Sequence, residues 1–186
     1  MKKYLLTPAN HFNLANLFTF VNISMGLIAI VLISQDNYFW AVVAAWIGGA
    51  FDIFDGKIAR KFNLSNEFGI QIDSFADFVS FVLVPSFLIF QAFFAHDTTL
   101  PLWLVAPFFI VYVIAGLRRL IQFNIDQDPG AVAKFFTGVP TPLGAILLWV
   151  VYLIASYGLV DNVYFILACV SVIAYLLNSK VKIPHP

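Results

Sequence analysis

Apolar residues in this chain do not alternate with polar ones; they run in long blocks separated by short polar breaks. Six such stretches occupy roughly 14–34, 39–59, 70–95, 101–123, 139–158 and 160–178. A helix rising about 1.5 Å per residue needs about 20 residues to cross about 30 Å of hydrocarbon. Each stretch is close to that length. The pattern predicts an all-α integral membrane protein with six transmembrane helices, forming a single membrane domain over 1–186, with residues 1–13 as a cytosolic or interfacial N-terminal segment. Pro85 is expected to kink the third span, and Pro140 with Pro142 to open the fifth.

Composition narrows the class. Of 186 residues 61% are hydrophobic and only 11% charged, too little charge to cover a soluble domain. The apolar runs lack the period-two alternation of a membrane barrel. Lys2 and Lys3 precede an apolar stretch, as in a signal peptide, but no small-x-small cleavage site follows, so this stretch reads as a retained span. The formal net charge of zero gives no case for a nucleic-acid partner. The single cysteine, Cys169, lies inside an apolar run and reads as a small buried side chain.

Charge distribution sets the orientation. With the N-terminus inside, the cytosolic segments carry Lys2, Lys3, Lys57, Arg60, Lys61, Arg118, Arg119, Lys134, Lys180 and Lys182, all ten basic residues of the chain. The three outer loops carry none. The positive-inside rule then puts both termini in the cytosol.

Candidate chemistry gathers where the membrane makes charge expensive. Asp52 and Asp55 are three apart near the end of the second stretch, and Asp73 and Asp77 are four apart at the start of the third, so each pair shares a helix face. A short loop joins the two spans, and as antiparallel neighbours they bring the acidic faces to one depth. Four carboxylates so placed repel one another unless cations lie among them. Oxygen-only ligands suit Mg²⁺, Mn²⁺ or Ca²⁺ over Zn²⁺, and two such ions can hold and polarise phosphoryl oxygens. Lys57 and Arg60 add positive charge for a diphosphate, and Gly56 leaves room for a ligand beside Asp55. The plainer alternative is that the carboxylates pair with Lys57, Arg60 and Lys61 as boundary charges. His11, His96 and His185 are scattered over both sides and make no shared metal site. Asn16, Thr19 and Asn22, at helical spacing in the first span, suit either the ligand site or helix–helix hydrogen bonds.

Residues 52–77 read Asp52-x2-Asp55-Gly56-x2-Ala59-Arg60-x8-Gly69-x3-Asp73-x3-Asp77. This resembles, without a departure, the signature of the CDP-alcohol phosphatidyltransferases. The resemblance implies a six-span fold, usually a homodimer, with a cytosol-facing site for two divalent ions, Mg²⁺ or Mn²⁺. By resemblance Asp52, Asp55, Asp73 and Asp77 would ligate metal, Asp77 would also be the general base, and Gly56, Ala59, Arg60 and Gly69 would shape the CDP site. The stretch Glu67 to Phe81 followed by Val84-Pro85, then Arg119, Phe123-Asn124 and Phe136-x-Gly138-Val139-Pro140-x-Pro142, looks like the phosphatidylserine synthase branch. Gln122 stands where that branch is expected to carry Arg or Lys. The branch implies transfer of a phosphatidyl group from CDP-diacylglycerol to the hydroxyl of L-serine, with release of CMP and with membrane lipids as surroundings.

A cationic group suits a serine carboxylate, which makes Arg119, Arg118 and Lys134 candidates for holding it, although all three also serve as positive-inside anchors. Two alternatives remain at the level of sequence. One is another acceptor, such as glycerol 3-phosphate, an inositol phosphate or another polyol. The other is a divalent-cation channel or transporter, because intramembrane carboxylates also line ion paths.

Overall fold

A computed structural model describes residues 5–96, 99–126, 135–160, 162–179 and 182–184. Its helices are α1 (Leu14–Ser34), α2 (Tyr38–Phe62), α3 (Glu67–Asp77), α4 (Val84–Phe93), α5 (Leu102–Asp126), α6 (Thr141–Ser156) and α7 (Val163–Leu177). A π-helical turn, Phe78–Leu83, joins α3 to α4, so that Glu67–Phe93 runs as one long helix. Four helices are long and apolar enough to cross a membrane: α1, α2, the α3–α4 helix and α5. The shorter α6 and α7 are apolar as well. The protein is therefore a multi-pass helical membrane protein. The chain divides into two compact units, Met1–Ser80 and Phe81–Pro186.

In the first unit α1 packs along α2. The buried positions of α1 are Ala15, Asn16, Thr19, Asn22, Gly26, Ala29 and Ile33. Apart from Asn16 they advance in steps of four and three, the seam spacing of two helices packed at a shallow angle. α2 answers with Ala41, Ala44, Ala45, Gly48 and Asp55. Small residues suit this seam, because association within a bilayer relies on close van der Waals contact and hydrogen bonds between helices. At Gly48 the fit is tight: a Cβ there would lie 3.0 Å from Asn22 Oδ1 and 3.3 Å from the Asn22 carbonyl. The outer faces carry exposed Leu27, Ile28, Val31, Trp46, Ile47 and Phe54, the apolar surface that lipid requires.

The turn from α2 to α3 is written in local chemistry. Asn63 ends α2 in the left-handed region (φ 52°), which Asn tolerates, and its N–H and that of Leu64 both reach the Ala59 carbonyl. Asn66 then caps α3, its side chain accepting from the Gly69 N–H at 2.6 Å. The N-terminal segment is fastened across this turn. The Asn13 amide, itself the N-cap of α1, donates to the Leu64 carbonyl at 3.0 Å, and the Asn66 amide donates to the Pro8 carbonyl. His11 stacks on Phe68 with ring centroids 4.4 Å apart.

In the second unit α5 and α6 pack on α7, and α4 packs on α5 and α6. Tyr112, Leu148, Val170 and Leu177 are among the fully buried side chains. Pro85 sits in the first turn of α4, directly after the π turn. A proline inside a helix removes a donor and crowds the preceding turn, and a local change of winding accommodates it. Ser86 returns a donor to the carbonyls at this point, its hydroxyl lying 2.8 Å from Val82 O and 2.9 Å from Leu83 O. Pro140 is the N-cap of α6, with Pro142 in its first turn. The structure adds one element that the sequence does not predict, an antiparallel ladder of β1 (Phe135–Thr137) and β2 (Lys182–Pro184). Strands of three residues are too short to show an alternating pattern.

Candidate functional site

The site is built where the α1–α2 seam turns polar. Moving along it from Ile33 and Ala41, the pairs of small apolar residues give way to Asn22 and Thr19 on α1, facing Asp52 and Asp55 on α2. The Asn22 amide donates to Asp52 Oδ1 at 3.0 Å, and the Thr19 hydroxyl donates to Asp55 Oδ2 at 2.7 Å. Because both pairs are spaced by three residues on antiparallel helices, one register satisfies both bonds. The third helix completes the cluster. The Asn63–Asn66 turn returns α3 alongside, and carboxylate oxygens of Asp52, Asp55 and Asp73 come within 4.8 Å of one another. Asp77 lies one turn beyond Asp73 on α3, half-buried and close enough to Asp52 and Asp73 to feel their charge.

The structure thus brings the four sequence-predicted carboxylates together. Among the described residues none of the four is paired with a Lys or Arg side chain. The reading as boundary charges paired with Lys57, Arg60 and Lys61 therefore has no support in the geometry. A crowded set of oxygen ligands without compensating cationic side chains fits a divalent metal centre in both donor type and charge.

Beside the carboxylates lies an open cleft. Asp55, Asp73, Gly56, Ala59, Arg60 and Gly69 all line it, as do Asn16, Thr19 and Asn66. The Arg60 guanidinium folds back toward Gly56: a Cβ on Gly56 would lie 3.5 Å from its Nη1. Gly69 answers a tighter constraint. A Cβ there would fall 2.7 Å from Asn16 Oδ1, closer than Cβ atoms approach a neighbour, and 3.1 Å from Asn66 Oδ1, a tight contact. The Asn16 amide is in turn anchored, donating to the His11 carbonyl at 3.0 Å.

The basic candidates belong to the second unit. Arg119 is 6% exposed, and its Nε donates to the Val139 carbonyl at 3.2 Å. Arg118 is exposed and donates to Asn178 Oδ1 at 3.0 Å, while the Asn178 amide donates to the Ala115 carbonyl, tying the end of α7 to α5. Lys134 lies outside the described residues.

Sequence reasoning missed three residues that matter here. Asn13 and Asn66 were legible in principle as helix caps, Asn66 standing directly before Glu67 in the first turn of α3. Ser80 was not legible. Its hydroxyl donates to Asn22 Oδ1 at 2.6 Å, from within the π turn, where ordinary helical spacing does not predict which face a residue takes.

Comparison with known proteins agrees with this arrangement. The sequence model of the CDP-alcohol phosphatidyltransferases matches residues 12–176. A CDP-diacylglycerol–serine O-phosphatidyltransferase of Bacillus subtilis (strain 168) is 34% identical over 169 residues, covering 91% of this chain and 88% of that protein. Another from Methanocaldococcus jannaschii is 34% identical over 167 residues, covering 89% of this chain and 71% of the relative. The archaetidylserine synthase of Methanothermobacter thermautotrophicus is 32% identical over 174 residues, covering 92% and 70%. With the metal-type carboxylate cluster and the adjoining cleft in place, and a family match that spans most of its length, the chain belongs to the CDP-alcohol phosphatidyltransferase family.

Proposed function

We propose that this protein is a phosphatidylserine synthase, transferring the phosphatidyl group of CDP-diacylglycerol to the hydroxyl of L-serine with release of CMP. The observation that carries the reading is the single constellation of Asp52, Asp55, Asp73 and Asp77 beside a cleft lined by Gly56, Ala59, Arg60 and Gly69. Serine as acceptor is supported by the relatives, whose names share it although they differ in the lipid.

In this reading Asp52, Asp55, Asp73 and Asp77 hold two divalent ions, Mg²⁺ or Mn²⁺. When bound, such ions neutralise charge on the diphosphate oxygens. Arg60 binds the diphosphate from the cleft wall, and Gly56, Ala59 and Gly69 leave the room it needs. The serine Oγ forms the new bond to the lipid-side phosphorus, the bond from that phosphorus to the CMP oxygen breaks, and Asp77 takes the hydroxyl proton. Arg119, with Arg118 and Lys134 as further candidates, holds the serine carboxylate. The site and both termini face the cytosol, the membrane is the cytoplasmic (inner) membrane, and the protein works as a homodimer.

An acceptor screen tests the proposal. Purified protein with CDP-diacylglycerol and Mg²⁺ or Mn²⁺ is expected to release CMP with L-serine and not with glycerol 3-phosphate, inositol phosphate or choline. Turnover with one of those and none with serine would move the protein to another branch of the family.

A further inference from the structure

We infer that Thr19 and Asn22, with Ser80 behind Asn22, are positioning residues that set the affinity of the metal centre by fixing the carboxylates of Asp55 and Asp52. The inference rests on the metal reading above and extends it to residues outside the family signature quoted for this chain.

Three observations carry it. Each of the two α2 carboxylates receives one hydrogen bond from α1, at 2.7 Å for Asp55 and 3.0 Å for Asp52. A carboxylate turns freely about its last bond, so a donor held on one oxygen fixes the plane in which the remaining lone pairs point. Both donors are desolvated, Thr19 at 3% exposure and Asn22 at 0%. In a low-dielectric interior such hydrogen bonds are stronger than in water, and partners behind metal ligands govern affinity in other metal sites.

The orientation of the Asn22 amide is itself determined. An ionised carboxylate only accepts, so the amide nitrogen must face Asp52, and the amide oxygen must face away. That oxygen accepts from the Ser80 hydroxyl at 2.6 Å. Ser80 lies three residues after Asp77 in the π turn that follows α3, so one hydrogen-bonded chain runs from that turn through α1 to the ligand on α2. Asn22 does not line the cleft, which separates it from a nucleotide contact. Nor does close packing of the seam require polar side chains, since Ala29 and Ala41 serve the same pair of helices elsewhere.

Direct Mn²⁺ binding tests the inference, measured on the detergent-purified full chain by loss of the free-Mn²⁺ resonance signal. Thr19→Val, nearly isosteric, and Asn22→Ala are each expected to weaken Mn²⁺ binding about tenfold or more, the scale found for residues behind metal ligands. Thr19→Ser keeps the hydroxyl and is expected to bind nearly as the wild type does. Ser80→Ala is expected to have a smaller effect, and no further effect once Asn22 is Ala. Wild-type affinity in both Thr19→Val and Asn22→Ala overturns the inference while leaving the metal reading intact. Absence of Mn²⁺ binding to the wild type overturns the metal reading, and this inference with it. Should Asn22→Ala fail to fold, Thr19→Val against Thr19→Ser decides the matter alone. Melting in EDTA gives the second readout: a loss of affinity accompanied by a fall of several degrees in the metal-free melting temperature marks a structural role and overturns the positioning role.

Discussion

Asp77 differs from its three companions in one respect that matters for chemistry. Asp52, Asp55 and Asp73 present oxygens within 4.8 Å of one another, and Asp77 lies outside that trio on the same face of α3 as Asp73. In the proposed reading Asp77 is the general base. Asp77→Asn is expected to lower the rate of CMP release by about a hundredfold or more, the scale of general-base catalysis. CDP-lipid binding should survive better in that variant than in Asp55→Ala, which removes a carboxylate from the centre. Near wild-type turnover in Asp77→Asn would end the assignment of the base. Arg118 and Arg119 offer a second contrast between neighbours. Arg119→Ala is expected to remove a charge-assisted bond worth about 1.5–3 kcal/mol, raising the KM for serine about ten- to a hundredfold while the KM for CDP-diacylglycerol changes little. Arg118 is engaged with Asn178, so Arg118→Ala should lower the melting temperature and leave the serine KM nearly unchanged. Equal losses for both substrates in Arg119→Ala would assign it a structural role instead.

At the scale of elements the recurring device is a helix pair that is apolar along most of its seam and polar at one end. The four-and-three spacing from Ile33 down to Ala15 does not change as the chemistry does, so packing that fixes the helices also fixes the donors against the carboxylates. The third helix is held at the same end by the Asn66 cap and the contact at Gly69. Replacing Gly69 by Ala would drive a methyl to 2.7 Å from Asn16 Oδ1, whose amide cannot withdraw without stretching its bond to His11 O. Overpacking of this type costs about 1–3 kcal/mol. Gly69→Ala is therefore expected to lower the melting temperature by several degrees and to raise the KM for CDP-diacylglycerol, with the serine KM little affected. A variant as stable and as tight for the lipid as the wild type would show that the cleft wall yields there.

For the whole molecule, two expectations follow from a carboxylate cluster that fits divalent ions in a membrane protein. Chelation by EDTA should abolish CMP release, Mg²⁺ or Mn²⁺ should restore it, and Zn²⁺ should support it poorly, because the ligand set is oxygen only. Full activity of thoroughly chelated protein would exclude the metal mechanism. Orientation can be read by labelling in a Cys169→Ala background. Cysteines at Gln35 and Asn162 should react with impermeant reagents added to intact cells, and a cysteine at Ser65, in the turn beside the cleft, should not. The reverse pattern would place the cleft on the outer face and contradict the charge asymmetry from which the topology was argued.

Much of this was settled by sequence alone, for a physical reason: hydrocarbon admits only helices or closed barrels, and runs without period-two alternation leave helices, so the six apolar stretches reappear as α1, α2, the Glu67–Phe93 helix, α5 and the shorter α6 and α7. The same economy of charge made Asp52, Asp55, Asp73 and Asp77 conspicuous, because few carboxylates are found at such depth without a function. The sequence left open what Thr19 and Asn22 do, since a polar residue in a span faces a ligand or a neighbouring helix with the same spacing. Only the register of α1 against α2, fixed by close contacts such as Gly48 against Asn22, decided that they grip the carboxylates. Ser80 and the β1–β2 ladder lay beyond reach for a related reason. A π turn resets the helical period, and three-residue strands have almost none, so long-range contact alone gives these residues their partners.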